Sequence, residues 1–248
     1  MSEFRDIVLD NGKIIKVHST VEFFSNPNKK DKITTLKEAK EVTGGGVTNK
    51  NSKMPEFTYD LSAWDCIKGE KLREVIGSTC FDCYATKGNF LRYRHASVGV
   101  SHKKHLESLY NSKWVEAMAY QMKHYKIKYM RFHASGDLQS YQHLKNIVEV
   151  AKLSPNTKFW IPTREIEFIT QAKKERLNMP DNVVFRISAP MKNGKLRNET
   201  FKNTSSVITD EKFLGNSWKC PAQKQGGACM DCRKCWDSNT SDVAYPFH

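Results

Sequence analysis

No stretch of this 248-residue chain approaches the roughly 18 consecutive apolar residues that a membrane span needs. Its first residues, Met1-Ser2-Glu3-Phe4-Arg5-Asp6, hold no apolar run, so no secretory signal peptide is expected. No internal repeat is visible, and no motif that reads a nucleic-acid groove is present. The glycine run Thr43-Gly44-Gly45-Gly46 lacks the Lys-Ser/Thr ending of a P-loop, so it reads as a mobile connector rather than a phosphate cradle. The expectation is a soluble protein of a reducing cytoplasm with no membrane partner. Acidic residues are in deficit, 27 against 40 Lys and Arg, for a net charge of +13. That balance suits an anionic substrate or a nucleic acid, and equally a lysine-coated surface with no such partner.

Cysteine is present, and none of it is scattered. Of the seven cysteines, three read Cys66-x13-Cys80-x2-Cys83, and four read Cys220-Pro221-x7-Cys229-x2-Cys232-x2-Cys235. In a reducing compartment, C-x2-C pairs read as metal sites rather than disulfides, because the turn brings two thiolates onto one ion or cluster. Four thiolates in the tail can close a [4Fe–4S] cluster; a four-cysteine zinc site is the alternative. Three thiolates leave one coordination position without a protein ligand, which is what a catalytic site needs.

The apolar patterning predicts an α/β fold. Ile7 to Val17 forms two apolar runs around Asn11-Gly12, a β-hairpin signal. A short helix is expected over Thr35 to Glu41, and a strand over Phe57 to Ser62. Two helices fill Val98 to Tyr125, with Ser112 capping the second and Trp114, Met118 and Met122 on its core face. Strands at Ile127–Ala134, Lys158–Pro162 and Val183–Ser188 alternate with helices at Gln139–Leu153 and Glu165–Leu177, and a polar loop spans 191–205. Such alternation implies a parallel sheet with helices outside it, here a full or partial parallel (β/α) barrel of the TIM-barrel kind. The expected organisation is an N-terminal hairpin and polar connector over 1–53, a barrel-like core over 54–205, and a cysteine-rich tail over 206–248 packed on that core. In such folds the chemistry lies at the carboxyl ends of the strands, which here carry Ser135-Gly136-Asp137, Thr163-Arg164 and Ser188.

Three cysteines after the first strand, with Phe81 inside C-x2-C and Tyr84 beside it, resemble the radical S-adenosylmethionine (SAM) family. The usual family spacing is C-x3-C-x2-C, so Cys66-x13-Cys80 looks like an insert. The resemblance implies a [4Fe–4S] cluster on Cys66, Cys80 and Cys83. It implies that Ser135, Gly136 and Asp137, similar to a Gly-Gly-Glu motif, bind the amino group of SAM. Thr163, Arg164, Arg186 and Ser188 would hold its ribose and carboxylate, with Asp137 and Arg164 the catalytic candidates. An electron donor of the ferredoxin or flavodoxin type would then be a partner, and the tail cluster would relay electrons or bind substrate. The segments Cys80-x2-Cys83-Tyr84-Ala85-x2-Gly88, Ser135-Gly136-Asp137, Thr163-Arg164 and the cysteine-rich tail together resemble the phage family called "gene product eighty-eight" more closely. That resemblance implies a phage-encoded iron–sulfur protein of the host cytoplasm and names no reaction. Two other readings stand beside the enzyme: an electron-transfer iron–sulfur protein, and a nucleic-acid-binding protein stapled by zinc or a cluster.

Several candidates have simpler readings. Asp137 can cap the helix that follows it. His133 on a strand reads as a packed residue, and His102 and His105 beside two lysines as a solvated helix face. Arg131 and Arg186, if they point inward, need an anion or carboxylate partner.

Overall fold

The computed structural model of the chain describes residues 4–8, 14–18, 32–49, 53–196 and 200–247. β1 (Phe4–Val8) and β2 (Ile14–His18) form the expected antiparallel hairpin, with Val8 opposite Ile14. Its Asn11-Gly12 turn lies outside the described residues. α1 (Leu36–Val42) starts where expected because Thr35 and Glu38 cap it reciprocally. Thr35 Oγ1 accepts from Glu38 N at 3.2 Å, and the Glu38 carboxylate accepts from Thr34 N at 3.1 Å.

The remaining order is β3 (Thr48–Asn49), β4 (Phe57–Tyr59), α2 (Ile67–Leu72), α3 (Gly88–Arg92), α4 (Ser97–Ser108), α5 (Trp114–His124), β5 (Tyr129–Phe132), α6 (Tyr141–Leu153), β6 (Lys158–Thr163), α7 (Ile166–Lys174), β7 (Val183–Ser188), β8 (Thr204–Ile208), β9 (Trp218–Lys219) and β10 (Asp242–Pro246). The eight strands β3 to β10 join one sheet, in the order β3-β4-β5-β6-β7-β8-β10-β9. Every neighbour pair in it is parallel except β3–β4. The ladder is open, with β3 and β9 at its edges. α6 and α7 make the crossovers that parallel neighbours require.

Alternation along the strands gives the sheet two different faces. Met130 and Phe132 of β5, Phe159 and Ile161 of β6, and Ile187 of β7 point into the main core with Trp114, Met118, Met122, Leu144 and Ile147 of the helices. Tyr129 and Trp160 point the other way, into a second cluster with Cys235, Trp236 and Val243 of the tail. The cysteine-rich segment therefore covers the sheet face that the helices leave open. It is also continuous with the sheet: β9 precedes Cys220, β10 follows Cys235, and both pair in the ladder. The expected boundary between residues 205 and 206 falls inside β8, so core and tail share one sheet.

Other differences are local. Ser112 does not cap α5; Asn111 Oδ1 accepts from Lys113 N at 2.9 Å instead. The glycine run is a packed corner rather than a loose connector: Gly44 has φ +70°, and a Cβ there would lie 2.1 Å from the Lys104 carbonyl oxygen of α4. His102 and His105 are buried, not solvated, because they share the inward face of α4 with Leu106 while Lys103 and Lys104 take the outer one.

Candidate functional site

The carboxyl ends of β4, β5 and β6 are tied together by two carboxylates, half-buried Asp60 and buried Asp137. Asp60, just past β4, has Oδ2 accepting from Thr58 Oγ1 at 2.8 Å and Oδ1 from Ala134 N at 2.6 Å. Leu61 N donates to Ser135 O at 3.0 Å. That contact needs Gly136: its φ is +90°, and a Cβ would lie 2.6 Å from Leu61 Cβ. Asp137 joins β5 to β6, with Oδ1 accepting from Thr163 Oγ1 at 2.6 Å and from Leu138 N at 2.8 Å, and Oδ2 from Arg164 N at 2.9 Å. It does not cap α6; Ser140 Oγ does, accepting from His143 N at 3.1 Å.

The three-cysteine loop folds onto these ends. Cys66 opens α2, and Lys68 N of its first turn donates to Glu165 Oε1 at 2.9 Å. The insert between Cys66 and Cys80 is α2 and the turn after it, which returns through Ser78 and Thr79. Thr79 N donates to Pro190 O at 2.9 Å, past the end of β7, and Arg164 donates to Thr79 Oγ1. Cys83 N then donates to Cys80 O at 3.2 Å, closing the C-x2-C turn. Burial pushes the Cys66 thiol well above its usual range, and Asp137, Cys83 and Cys80 push it further, while Arg164 pulls it down. Cys80 is raised for the same first reason and eased by Arg164. The three thiols, Asp137 and Arg164 thus occupy one electrostatic neighbourhood. Cys80 is buried, and Cys66 and Cys83 are half-buried.

Glu165 escaped sequence reasoning. It is 2% exposed, and burial first, then Asp137, raises its carboxyl to about 7 against the pull of the Lys68 N–H. Its signal was its place directly after Thr163-Arg164. Ser135 is buried with its Oγ unpartnered among the described residues, and Ser188 receives a hydrogen bond from Ser205 Oγ at 3.1 Å. His133 is buried as expected; burial, then His143 and Arg131, hold its imidazole well below the usual value.

Arg186 sits elsewhere. It is fully buried on the tail side of β7, and its partners are carbonyls rather than an anion. Its Nη1 donates to Thr204 O at 3.0 Å and Thr240 O at 3.1 Å, and reaches Ser241 O at 3.5 Å. Its Nη2 donates to Lys234 O at 3.2 Å and Asp237 O at 3.3 Å. The guanidinium is solvated by backbone dipoles, which meets the cost of burying it and fastens the tail.

The four tail cysteines also approach one another. Cys220 N donates to Ala244 O at 2.8 Å, Cys229 N to Lys53 O at 2.9 Å, and Cys232 N to Cys229 O at 2.9 Å. Burial pushes the Cys235 thiol up to about 12, although Tyr245 Oη lies 3.1 Å from its Sγ. Cys229 is raised by burial, then by Cys220, and eased by Arg131. Arg131 stands over the Trp160 ring at 4.3 Å and reaches Met54 Sδ at 3.3 Å.

Among the described residues no group of three or more His, Cys, Asp or Glu side chains is set at metal-holding geometry. The donor chemistry fits a soft metal or cluster nonetheless: each set consists of thiols, and in both sets thiolates raise one another through charge, a repulsion that a shared cation relieves. No described helix is long and apolar enough to cross a membrane. A family model described as gene product 88 matches residues 23–238. No curated protein and no solved structure matches the chain.

Proposed function

The chain belongs to the gene product 88 family, and from its two cysteine sets we propose that it is an iron–sulfur protein with two thiolate sites of different kinds. The observation that carries the reading is the meeting of Cys66, Cys80 and Cys83 with Asp137 and Arg164 at the carboxyl edge of a parallel sheet. With the sheet taken as a partial barrel, three ligands here would leave one open position, as a radical-SAM-like site requires. A [4Fe–4S] cluster held there supplies one-electron chemistry and an open coordination site. The chain's own residues do the rest. Arg164 offsets the negative charge of the thiolates, and its link to Thr79 fixes the returning limb of the loop. Asp137 sets the spacing of the β5 and β6 ends, and Glu165 holds the first turn of α2 and with it Cys66. Cys220, Cys229, Cys232 and Cys235 form a closed set suited to a relay cluster, or to zinc as a staple.

One observation favours an electron-transfer protein over a SAM enzyme. Asp137, the group expected to receive an amine, already accepts three hydrogen bonds from the protein. The test is the iron, sulfide and zinc content of anaerobically purified protein, with Cys66→Ala and Cys232→Ala beside it. Two clusters give about eight irons per chain, and each variant loses about four. Reductive cleavage of SAM with dithionite identifies the enzyme; reversible one-electron reduction without it identifies electron transfer. Iron-free protein after anaerobic reconstitution overturns both.

A further inference from the structure

Of the seven cysteine sulfurs, Cys235 Sγ is the one that meets a hydrogen-bonding side chain among the described residues: Tyr245 Oη lies 3.1 Å from it. In the metal-free protein either atom can be the donor. A metal-bound cysteine has lost its proton, so in the loaded tail the phenol donates and the sulfur accepts. A closed set of four thiolates does not itself require this contact. A phenylalanine would fill the same space, so the hydroxyl calls for its own explanation.

Both partners are held independently of each other. Tyr245 lies on β10 opposite Val207 of β8, and Val243, two residues before it on the same face, is buried with Trp160 and Trp236. Ala244 O, next to Tyr245, accepts from Cys220 N at 2.8 Å, so the same strand holds a second tail cysteine. Cys235 is buried in the short helical turn Lys234–Trp236. On one side of it Arg186 Nη2, from β7, donates to Lys234 O at 3.2 Å. On the other, Trp236 Nε1 donates to Met130 O of β5 at 2.9 Å. Three strands of one sheet therefore set the distance between the hydroxyl and the sulfur, which makes the contact preorganised rather than incidental.

We propose that Tyr245 tunes the tail site: its hydroxyl donates to the Cys235 thiolate, draws negative charge from the sulfur and makes one-electron reduction of a cluster bound there easier. This rests on the reading of the tail as a relay cluster. Reduction adds one negative charge to the site, and a hydrogen bond to an acceptor strengthens as the acceptor's charge grows. The electron comes from an external one-electron donor, and Tyr245 keeps its proton throughout. Cys66, Cys80 and Cys83 accept no side-chain hydrogen bond at sulfur among the described residues, so the effect is confined to the tail.

The experiment is a potentiometric titration with dithionite, followed by electron paramagnetic resonance, of the anaerobically purified full chain. Cys66→Ala removes the other site's signal and so identifies the tail's. Tyr245→Phe should keep the iron content and weaken the tail's affinity for an electron about tenfold, a fall of about 59 mV for a one-electron couple. The signal of the three-cysteine site should not move. Replacing Tyr245 with 3-fluorotyrosine, a more acidic phenol and a stronger donor, should shift the tail's potential the opposite way, which a packing defect would not do. Tyr129→Phe is the control, because Tyr129 packs on the same cluster and makes no hydrogen bond to a sulfur among the described residues. It should leave the tail's potential unchanged. An unmoved potential in iron-loaded Tyr245→Phe overturns the proposal, as does an equal shift in Tyr129→Phe or loss of the tail's iron from Tyr245→Phe alone. A tail that takes up no iron in the wild-type chain overturns it together with the cluster reading.

Discussion

Replacing Arg186 by Met removes the fastening between β7 and the tail while keeping a long, flexible side chain. The native guanidinium is fully buried and serves five carbonyls, of which Thr204 O and Thr240 O lie at 3.0 and 3.1 Å. A hydrogen bond to a charged group contributes about 1.5–3 kcal/mol, so these two short bonds account for roughly 3–6 kcal/mol. The three longer contacts, at 3.2 to 3.5 Å, add less. Met recovers some apolar burial but leaves buried carbonyls without donors, so a net loss of about 4 kcal/mol is expected. Urea unfolding followed by tryptophan fluorescence reads this directly. With a slope of about 2–3 kcal/mol/M, the midpoint falls by about 1.3–2 M. Arg186→Lys should fall nearly as far, because an ammonium cannot span both sets of carbonyls. Trp236 packs with Trp160 and Val243 between the tail and the sheet, so its emission should shift toward the solvated value before the rest of the chain unfolds. A midpoint shift under about 0.5 M in both variants would refute the fastening role.

Gly136→Ala should destabilise the chain by about 3 kcal/mol, since it adds a Cβ 2.6 Å from Leu61 Cβ at φ +90°; a thermal melt within a degree of wild type would contradict this. Glu165 gives a pH prediction. Its folded carboxyl titrates at about 7 against 4.5, so the folded state holds more protons between those values and stability falls as pH rises through that window. The group is 2% exposed, so about 3 kcal/mol is lost from pH 4.5 to above 7. Glu165→Gln keeps an acceptor for Lys68 N and removes that slope; identical wild-type and variant profiles of unfolding free energy from pH 5 to 8 would rule it out. Cys66→Ala and Cys232→Ala should each lose one set's metal and leave the other's, read as iron per chain.

Much of the fold was legible because its signals are local. β6 and β7 begin and end close to where their apolar runs do, and α5 and α6 follow their periodicity. The tail's part in the sheet was not legible. β9 is two residues long and β10 ends on Pro246; β10 gains its identity from pairing with β8 and β9, and β9 from pairing with β10. Arg186 stood out as an arginine on a strand with its direction left open; its partners are carbonyls 18 to 55 residues later, and a carbonyl leaves no trace in residue type. The burial of His102 was foreshadowed by Val98 and Leu106 one turn away on either side, a pattern that Lys103 and Lys104 masked. At the site, the cysteine groups, Asp137 and Thr163-Arg164 stood out as residue types, whereas Asp60 and Glu165 act through backbone N–H groups that only the fold brings to them.

Arg131 stands between the tail cysteines and the polar groups beside the three-cysteine loop. On β5 it faces the tail, over Trp160, and its Nε is buried without a partner among the described residues. Its positive charge favours ionisation of Asp60 and Tyr84 on the side of the three-cysteine loop. It also favours ionisation of Cys229 and Cys235 on the tail side. One guanidinium thus lies within reach of Asp60 and Tyr84 and of the tail thiols Cys229 and Cys235. The tail therefore does more than shield the face it covers: it brings two of its own thiols within reach of a positive charge that β5 supplies.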